Sequence, residues 1–275
     1  MKIIKLKTLL PMTEEMGYDI NHLKELLQKE CSSALKLYMD GIIFYRGANM
    51  QDESWIIKKD PSTRIRRSKD SNNISLTFMS EDESWRDIQR RNRSIVFTNE
   101  YINATNYGRT VYLVFPLDGA KLSHGNASDN YNNFNLQAAT GLDRDTMYNS
   151  GISGVDSLDS AIDDLTHELG LSVDWRSTDV DHIMDGLKEV GEAAANLDDV
   201  DIRDMHSNGV RLLVGQIKKN GGLIETLRKM YDPATNGIKT VDIGDVGHLP
   251  YDIEIWTESP CILVKLDSDR NNPRF

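Results

Sequence analysis

The apolar residues of this chain follow two different spacings, and that division constrains the fold more than any other feature. Short runs rich in β-branched and aromatic residues, at 42–45, 94–97, 111–115, 238–243, 253–256 and 261–266, have the length and composition of buried strands. Between them, the stretch 155–232 sets Leu158, Ile162, Leu165 and Leu169 at helical spacing, and later Leu212, Leu213, Ile217 and Leu227. Strands on both sides of a helical stretch predict an α+β protein. A helical module is expected between two strand-bearing parts.

The remaining segments fill in this outline. Ile20, Leu23, Leu27, Ala34, Leu35 and Tyr38 predict one amphipathic helix over 18–39, stopped by Gly41. Residues 61–73, PSTRIRRSKDSNN, have no periodicity and read as a loop, and 83–92 as a short helix around Trp85 and Ile88. Thr98 and Asn99 offer cap chemistry for a helix running to Tyr107, with Gly108 as its stop. Residues 123–154 turn to Asn, Ser, Asp and Gly, as a long loop does. The expected division is 1–122 as the first part of the core, 123–235 as loop and helical insertion, and 236–275 as the closing strands.

Composition excludes several classes. A chain of 275 residues buries a core without covalent staples, and Cys31 and Cys261 have no second Cys or His at metal-ligand spacing. Both are expected to be reduced, in a cytoplasmic protein. The opening MKIIKLKTLL is too short and too charged for a signal peptide, and no apolar run approaches the ~18 residues of a membrane span. Thr166-His167-Glu168 lacks the second His of a zinc helix, and Asp179, Asp181 and Asp185-Gly186 miss calcium-loop spacing, so no metal is expected. The net charge of −11 is uneven: residues 1–125 hold 19 Lys and Arg against 16 Asp and Glu, and 126–275 hold 13 against 27. An anionic ligand therefore belongs with the first part. Arg64, Arg66, Arg67 and Lys69 would lie near such a ligand or form a solvated basic loop. With Arg86, Arg90, Arg91 and Arg93 they lack the interleaved aromatics of a dedicated nucleic-acid site.

Three segments carry residues suited to chemistry. Arg46 ends an apolar run beside Gly47; a guanidinium there can grip a phosphate with two parallel bonds, and the glycine lets a ligand approach the backbone. Taken alone, such an arginine is ordinarily a surface residue or half of an ion pair. SIVFT at 94–98 leads into NATNYG at 103–108, which sets the Thr98 hydroxyl at a helix start and the Tyr107 ring about two and a half turns later. In DIEIWTE at 252–258, period-two alternation puts Asp252, Glu254 and Trp256 on one strand face, so two carboxylates converge on one cleft.

The order of these pieces resembles the ADP-ribosyltransferase family: strand–Arg–Gly, then strand–Ser/Thr–helix with Ala-x-x-Tyr, then x-Glu-x-Glu entering a strand. FTNEYINATNYGRTVYLVFPLDGAKL looks like the nicotinamide-facing part of such enzymes, and DIEIWTESPCILV like their Glu-x-Glu motif with its turn and strand. The resemblance covers about 40–120 and 238–266. It implies a split β-sheet core and NAD as co-substrate. Arg46, with Gly47, would hold the pyrophosphate, and Thr98 would stand where the family's Ser-Thr-Ser hydroxyl orders the site. Tyr107 would stack on nicotinamide. Glu254 would hold the nicotinamide-ribose 2′-hydroxyl and stabilise an oxocarbenium-like transition state, with Asp252 as base toward the acceptor. Thr98-Asn99 departs from the Ser-Thr-Ser run, and Asp252 is one methylene shorter than Glu.

The implied activity is transfer of ADP-ribose from NAD to a protein or nucleic-acid acceptor, as by effectors of bacteria and their phages, in the cytoplasm or, for a phage protein, the host cytoplasm. A non-catalytic binding or virion-associated protein can keep the same fold. An RNA 2′-phosphotransferase on a related fold would need a more basic groove than the acidic second part offers.

Overall fold

The computed structural model describes residues 20–49, 55–68, 72–129, 134, 144–152 and 154–266. The elements run α1 (Ile20–Glu30), α2 (Ser32–Met39), β1 (Tyr45–Ala48), β2 (Ile56–Lys59), α3 (Ile74–Glu81), β3 (Ile95–Thr98), α4 (Tyr101–Tyr107), β4 (Thr110–Pro116) and β5 (Lys121–His124). There follow α5 (Arg144–Ser150), α6 (Val155–Glu168), α7 (Val180–Ala195), α8 (Asp199–Asp204), α9 (Asn208–Asn220), α10 (Leu223–Met230), β6 (Lys239–Asp242), β7 (Glu254–Thr257) and β8 (Cys261–Lys265). Contacts divide the described residues into two compact units: those within 1–63, 94–124 and 240–275 form one, and those within 64–93 and 125–239 form the other.

The first unit is an α+β assembly on an eight-stranded sheet of order β2-β8-β4-β1-β3-β7-β5-β6. β1 pairs with β4 through four registered positions and β3 with β7 through four, all antiparallel, but β1 and β3 meet at Tyr45↔Thr98 alone. The sheet is thus two four-stranded halves joined at one seam. β3, β4, β7 and β8 draw their apolar residues from the expected runs, but the strand expected over 42–45 is displaced: β1 spans Tyr45–Ala48, so Arg46 lies within it and not at its end. Ile255, Ile262 and Leu263 have no exposed surface, and burying each stabilises by roughly 1.5–3 kcal/mol. Tyr38 of α2 packs on Phe115 with ring centroids 5.6 Å apart, and Phe44 on Phe97 at 5.1 Å.

The single helix expected over 18–39 is two helices, broken at Cys31. The cause is remote: the Asp118 carboxylate accepts hydrogen bonds from Ser32 N (3.0 Å), Ser33 N (2.8 Å) and Ser32 Oγ (2.7 Å), starting a new helix at that point. The cysteines are free and buried, and burial, aided by Asp118 and Glu30, pushes the Cys31 thiol up to about 12. β2 and β5 lie outside the strand runs read from the sequence.

In the second unit, α9 packs against α6, α7 and α10, and α3 against α6 and α7. Leu158, Ile162 and Leu165 of α6 are fully buried, as their spacing requires. Residues 64–93 belong here, not to the β core as expected. Their helix, α3, was invisible because ISLTFMSE is buried from Ile74 through Ser80 and has no polar face to mark a period. Over 83–92 two 3₁₀ turns, Glu83–Trp85 and Arg91–Arg93, replace the expected short helix. Among the described residues no helix is long and apolar enough to cross a membrane.

Candidate functional site

β3 is the element that organises the predicted residues. Its last residue, Thr98, faces Tyr45 of β1 on one side and Glu254 of β7 on the other. Directly opposed residues share a sheet face, so Tyr45, Thr98 and Glu254 form a row across three adjacent strands. Thr98 and Glu254 are each 3% exposed. Tyr45 stacks edge-on against Tyr101 of α4 at 5.7 Å.

Arg46 neighbours this row in the chain but not on the face. Alternation turns its Cβ to the opposite side, in line with Tyr112 of β4. Its guanidinium then reaches across the seam, where β1 and β3 have parted, and Nη1 donates to the Val96 carbonyl. Nε is buried without a hydrogen-bond partner among the described residues. Burial lowers the pKa of the group, with Cys261 acting in the opposite direction. No carboxylate among the described residues forms an ion pair with it.

Gly47 has a different physical role from the expected one. A Cβ at this position would overlap the carbonyl oxygen of Ala104, so the space beside it is taken by α4 and not left open to a ligand. Gly108 makes the matching approach from the other side: its φ of 174° is ordinary extended backbone, but a Cβ would overlap the Ala48 backbone. The two glycines let α4 lie directly on β1. Tyr107, at the end of that helix, is 54% exposed, while Ala104 on its inner side is fully buried.

Asp252 departs furthest from the sequence reading. β7 begins at Glu254, and Asp252 precedes it with φ 59°, the left-handed region that non-glycine residues seldom occupy. Strand alternation therefore does not extend back to Asp252, and a shared face with Glu254 cannot be inferred from it. The turn containing Asp252 is held by side chains from the start of α4. Asn99 Nδ2 donates to the Pro250 carbonyl at 2.7 Å, and its Oδ1 accepts from Ile253 N at 2.9 Å. Asn103 Nδ2 donates to Asp252 Oδ1, and the Tyr251 phenol is hydrogen-bonded to the Glu100 carboxylate, which raises the phenol's pKa.

Sequence reasoning missed this clasp because it gave Asn99 a local job. The cap of α4 is Glu100, whose Oε1 accepts from Ile102 N at 3.3 Å, while Thr98 Oγ1 accepts from Glu100 N at 3.1 Å. That leaves the Asn99 amide for a contact 151 residues away, which spacing along the chain cannot signal.

The helical unit carries a separate polar group. Ser75 Oγ donates to Asp159 Oδ1 and lies 2.8 Å from the Tyr231 hydroxyl. Asp159 is 2% exposed, and burial, despite the bonds from Ser75, pushes its carboxyl up to about 7. Of the basic cluster, Arg64, Arg66 and Arg67 belong to this unit, and Lys69 lies outside the described residues. Among the described residues no group of three His, Cys, Asp or Glu side chains could hold a metal ion. No family model, curated protein or solved structure matches this chain.

Proposed function

We propose that this chain is an NAD-dependent ADP-ribosyltransferase, moving ADP-ribose to a protein or nucleic-acid acceptor in the cytoplasm, with its site at the seam between β1 and β3. The observation that carries the reading is Arg46. A guanidinium whose Nε is buried without a hydrogen-bond partner among the described residues, and whose Nη1 donates to a neutral carbonyl, has no counter-charge among those residues. An isolated buried charge is costly, and an anion in the seam would relieve that cost. The free Nε donor suits a phosphate oxygen, so the residues fit the pyrophosphate of NAD on this point. Gly47 contributes by letting α4, the helix that ends in Tyr107, lie directly on β1.

Thr98 and Glu254 supply the reacting side. As the bond between the ribose C1′ and the nicotinamide nitrogen breaks, the electron pair leaves on the ring nitrogen and positive charge develops at C1′. A carboxylate beside that carbon attracts more strongly in the transition state than in the ground state, and this difference accelerates the step. The acceptor forms the new bond to C1′ and loses its proton, in this reading to Asp252.

Calorimetric titration with NAD tests the Arg46 role: Arg46→Lys keeps the charge but not the fork, and affinity should fall about tenfold or more. With labelled NAD and a cell lysate, Glu254→Gln should lower turnover roughly a hundredfold while NAD affinity stays within a few-fold. The burial of Glu254 and Thr98, at 3% exposure each, favours a second reading, a non-catalytic binding or virion-associated protein on the same fold. NAD affinity unchanged by Arg46→Lys, together with equal turnover in wild type and Glu254→Gln, would leave that second reading standing.

A further inference from the structure

The turn that delivers Glu254 to its strand is built by side chains of another segment, and this makes its geometry dependent on one amide. Asn99 spans the turn, bonding the Pro250 carbonyl at one end and Ile253 N at the other. Thr98, its chain neighbour, is the register partner of Glu254, the chain neighbour of Ile253. Thr98 and Asn99, at and just past the end of β3, are therefore engaged by Glu254 and Ile253, at and just before the start of β7. The chain between the two bonds contains Asp252 at φ 59°, a conformation that persists only where its surroundings impose it. Asn103 and Glu100 hold the two central residues of the turn, Asp252 and Tyr251.

We propose that Asn99 is a positioning residue for Glu254, acting through the Pro250–Ile253 turn; the inference rests on the transferase reading above. An amide has a donor and an acceptor on separate atoms and can satisfy both ends of the turn at once, which neither a hydroxyl nor a carboxylate does with the same geometry. Without it, Ile253 N and the Pro250 carbonyl lose their partners, the left-handed residue can relax, and the strand start shifts. Small displacements of a reacting group cost rate well before they cost fold.

The test is steady-state cleavage of NAD to nicotinamide and ADP-ribose, with water as acceptor, by the full-length wild type, Asn99→Ala and Asn99→Asp. Asn99→Ala should lower kcat about tenfold or more with KM within about threefold, because binding by Arg46 is untouched. Asn99→Asp keeps the acceptor for Ile253 N and loses the donor to Pro250, so its kcat should fall between the other two. Should Asn99→Ala fail to melt cooperatively, Asn99→Asp carries the comparison. Wild-type turnover with unaltered kcat in the Asn99 variants overturns the positioning role alone, as does a loss confined to KM. Absence of turnover in the wild type removes the transferase reading, and this role with it.

Discussion

Replacing Arg228 with leucine strips the counter-charge from a carboxylate that is almost completely buried. The Asp82 side chain is 2% exposed, and Arg228 is 31% exposed. The guanidinium approaches both carboxylate oxygens, with Nε 3.1 Å from each and Nη2 3.0 Å from Oδ2. Ser84 adds donors from its backbone N at 3.0 Å and its hydroxyl at 2.7 Å. Breaking such a pair by removing one partner costs about 3–5 kcal/mol, and the partial exposure of Arg228 argues for the lower end. At ~2–4 °C per kcal/mol for a chain of this size, the helical unit should melt roughly 6–12 °C lower.

The pH dependence gives the sharper test. Burial raises the Asp82 pKa, but the bonds from Arg228 and Ser84 outweigh it and leave the group below its ordinary value. In the wild type the pair's contribution is therefore present at neutral pH and is lost only as pH falls through that depressed pKa. In Arg228→Leu the burial effect has less to oppose it, the pKa rises, and acidification relieves the variant first. The melting gap between the two proteins, followed by circular dichroism, should narrow from pH 7 to pH 5. A gap that is absent, or that is constant over this range, would refute the reasoning.

Two further outcomes follow from the geometry. Tyr107 is 54% exposed, so Tyr107→Ala should cost less than about 1 kcal/mol in thermal melts, far below the ~3–5 kcal/mol of a core aromatic truncation; if its ring stacks on nicotinamide, NAD affinity drops in the same variant and is retained in Tyr107→Phe. Asp159, pushed up to about 7 by burial, contributes stability that is fully present below its unfolded pKa and is lost as pH rises through 7. Asp159→Asn should therefore gain in melting temperature over the wild type at pH 8 relative to pH 5, and an equal difference at both pH values would count against a buried, titrating carboxyl.

Local pattern determined much of this molecule. The apolar runs that became β3, β4, β7 and β8 were legible because a buried strand needs a short, dense stretch of β-branched and aromatic residues. Leu158, Ile162 and Leu165 announced α6 because one buried face imposes its period on the sequence. The same logic fails for α3, which is buried on every side and so carries no period, and for β2, whose strand rests on its pairing with β8. Thr98 and Glu254 were named from sequence, but that they face each other is a matter of register, which no single strand contains. The sequence sets Arg46 at the end of an apolar run; in the structure it lies inside β1, and its guanidinium crosses to Val96 of β3 where the two strands share a single pair, a matter of register that no one strand contains. From the sequence alone Gly47 and Asn99 have local roles, one as an opening for a ligand and the other as a helix cap. Their actual partners, Ala104 and the Pro250–Ile253 turn, come from other elements, and residues brought together by packing leave no spacing to read along the chain.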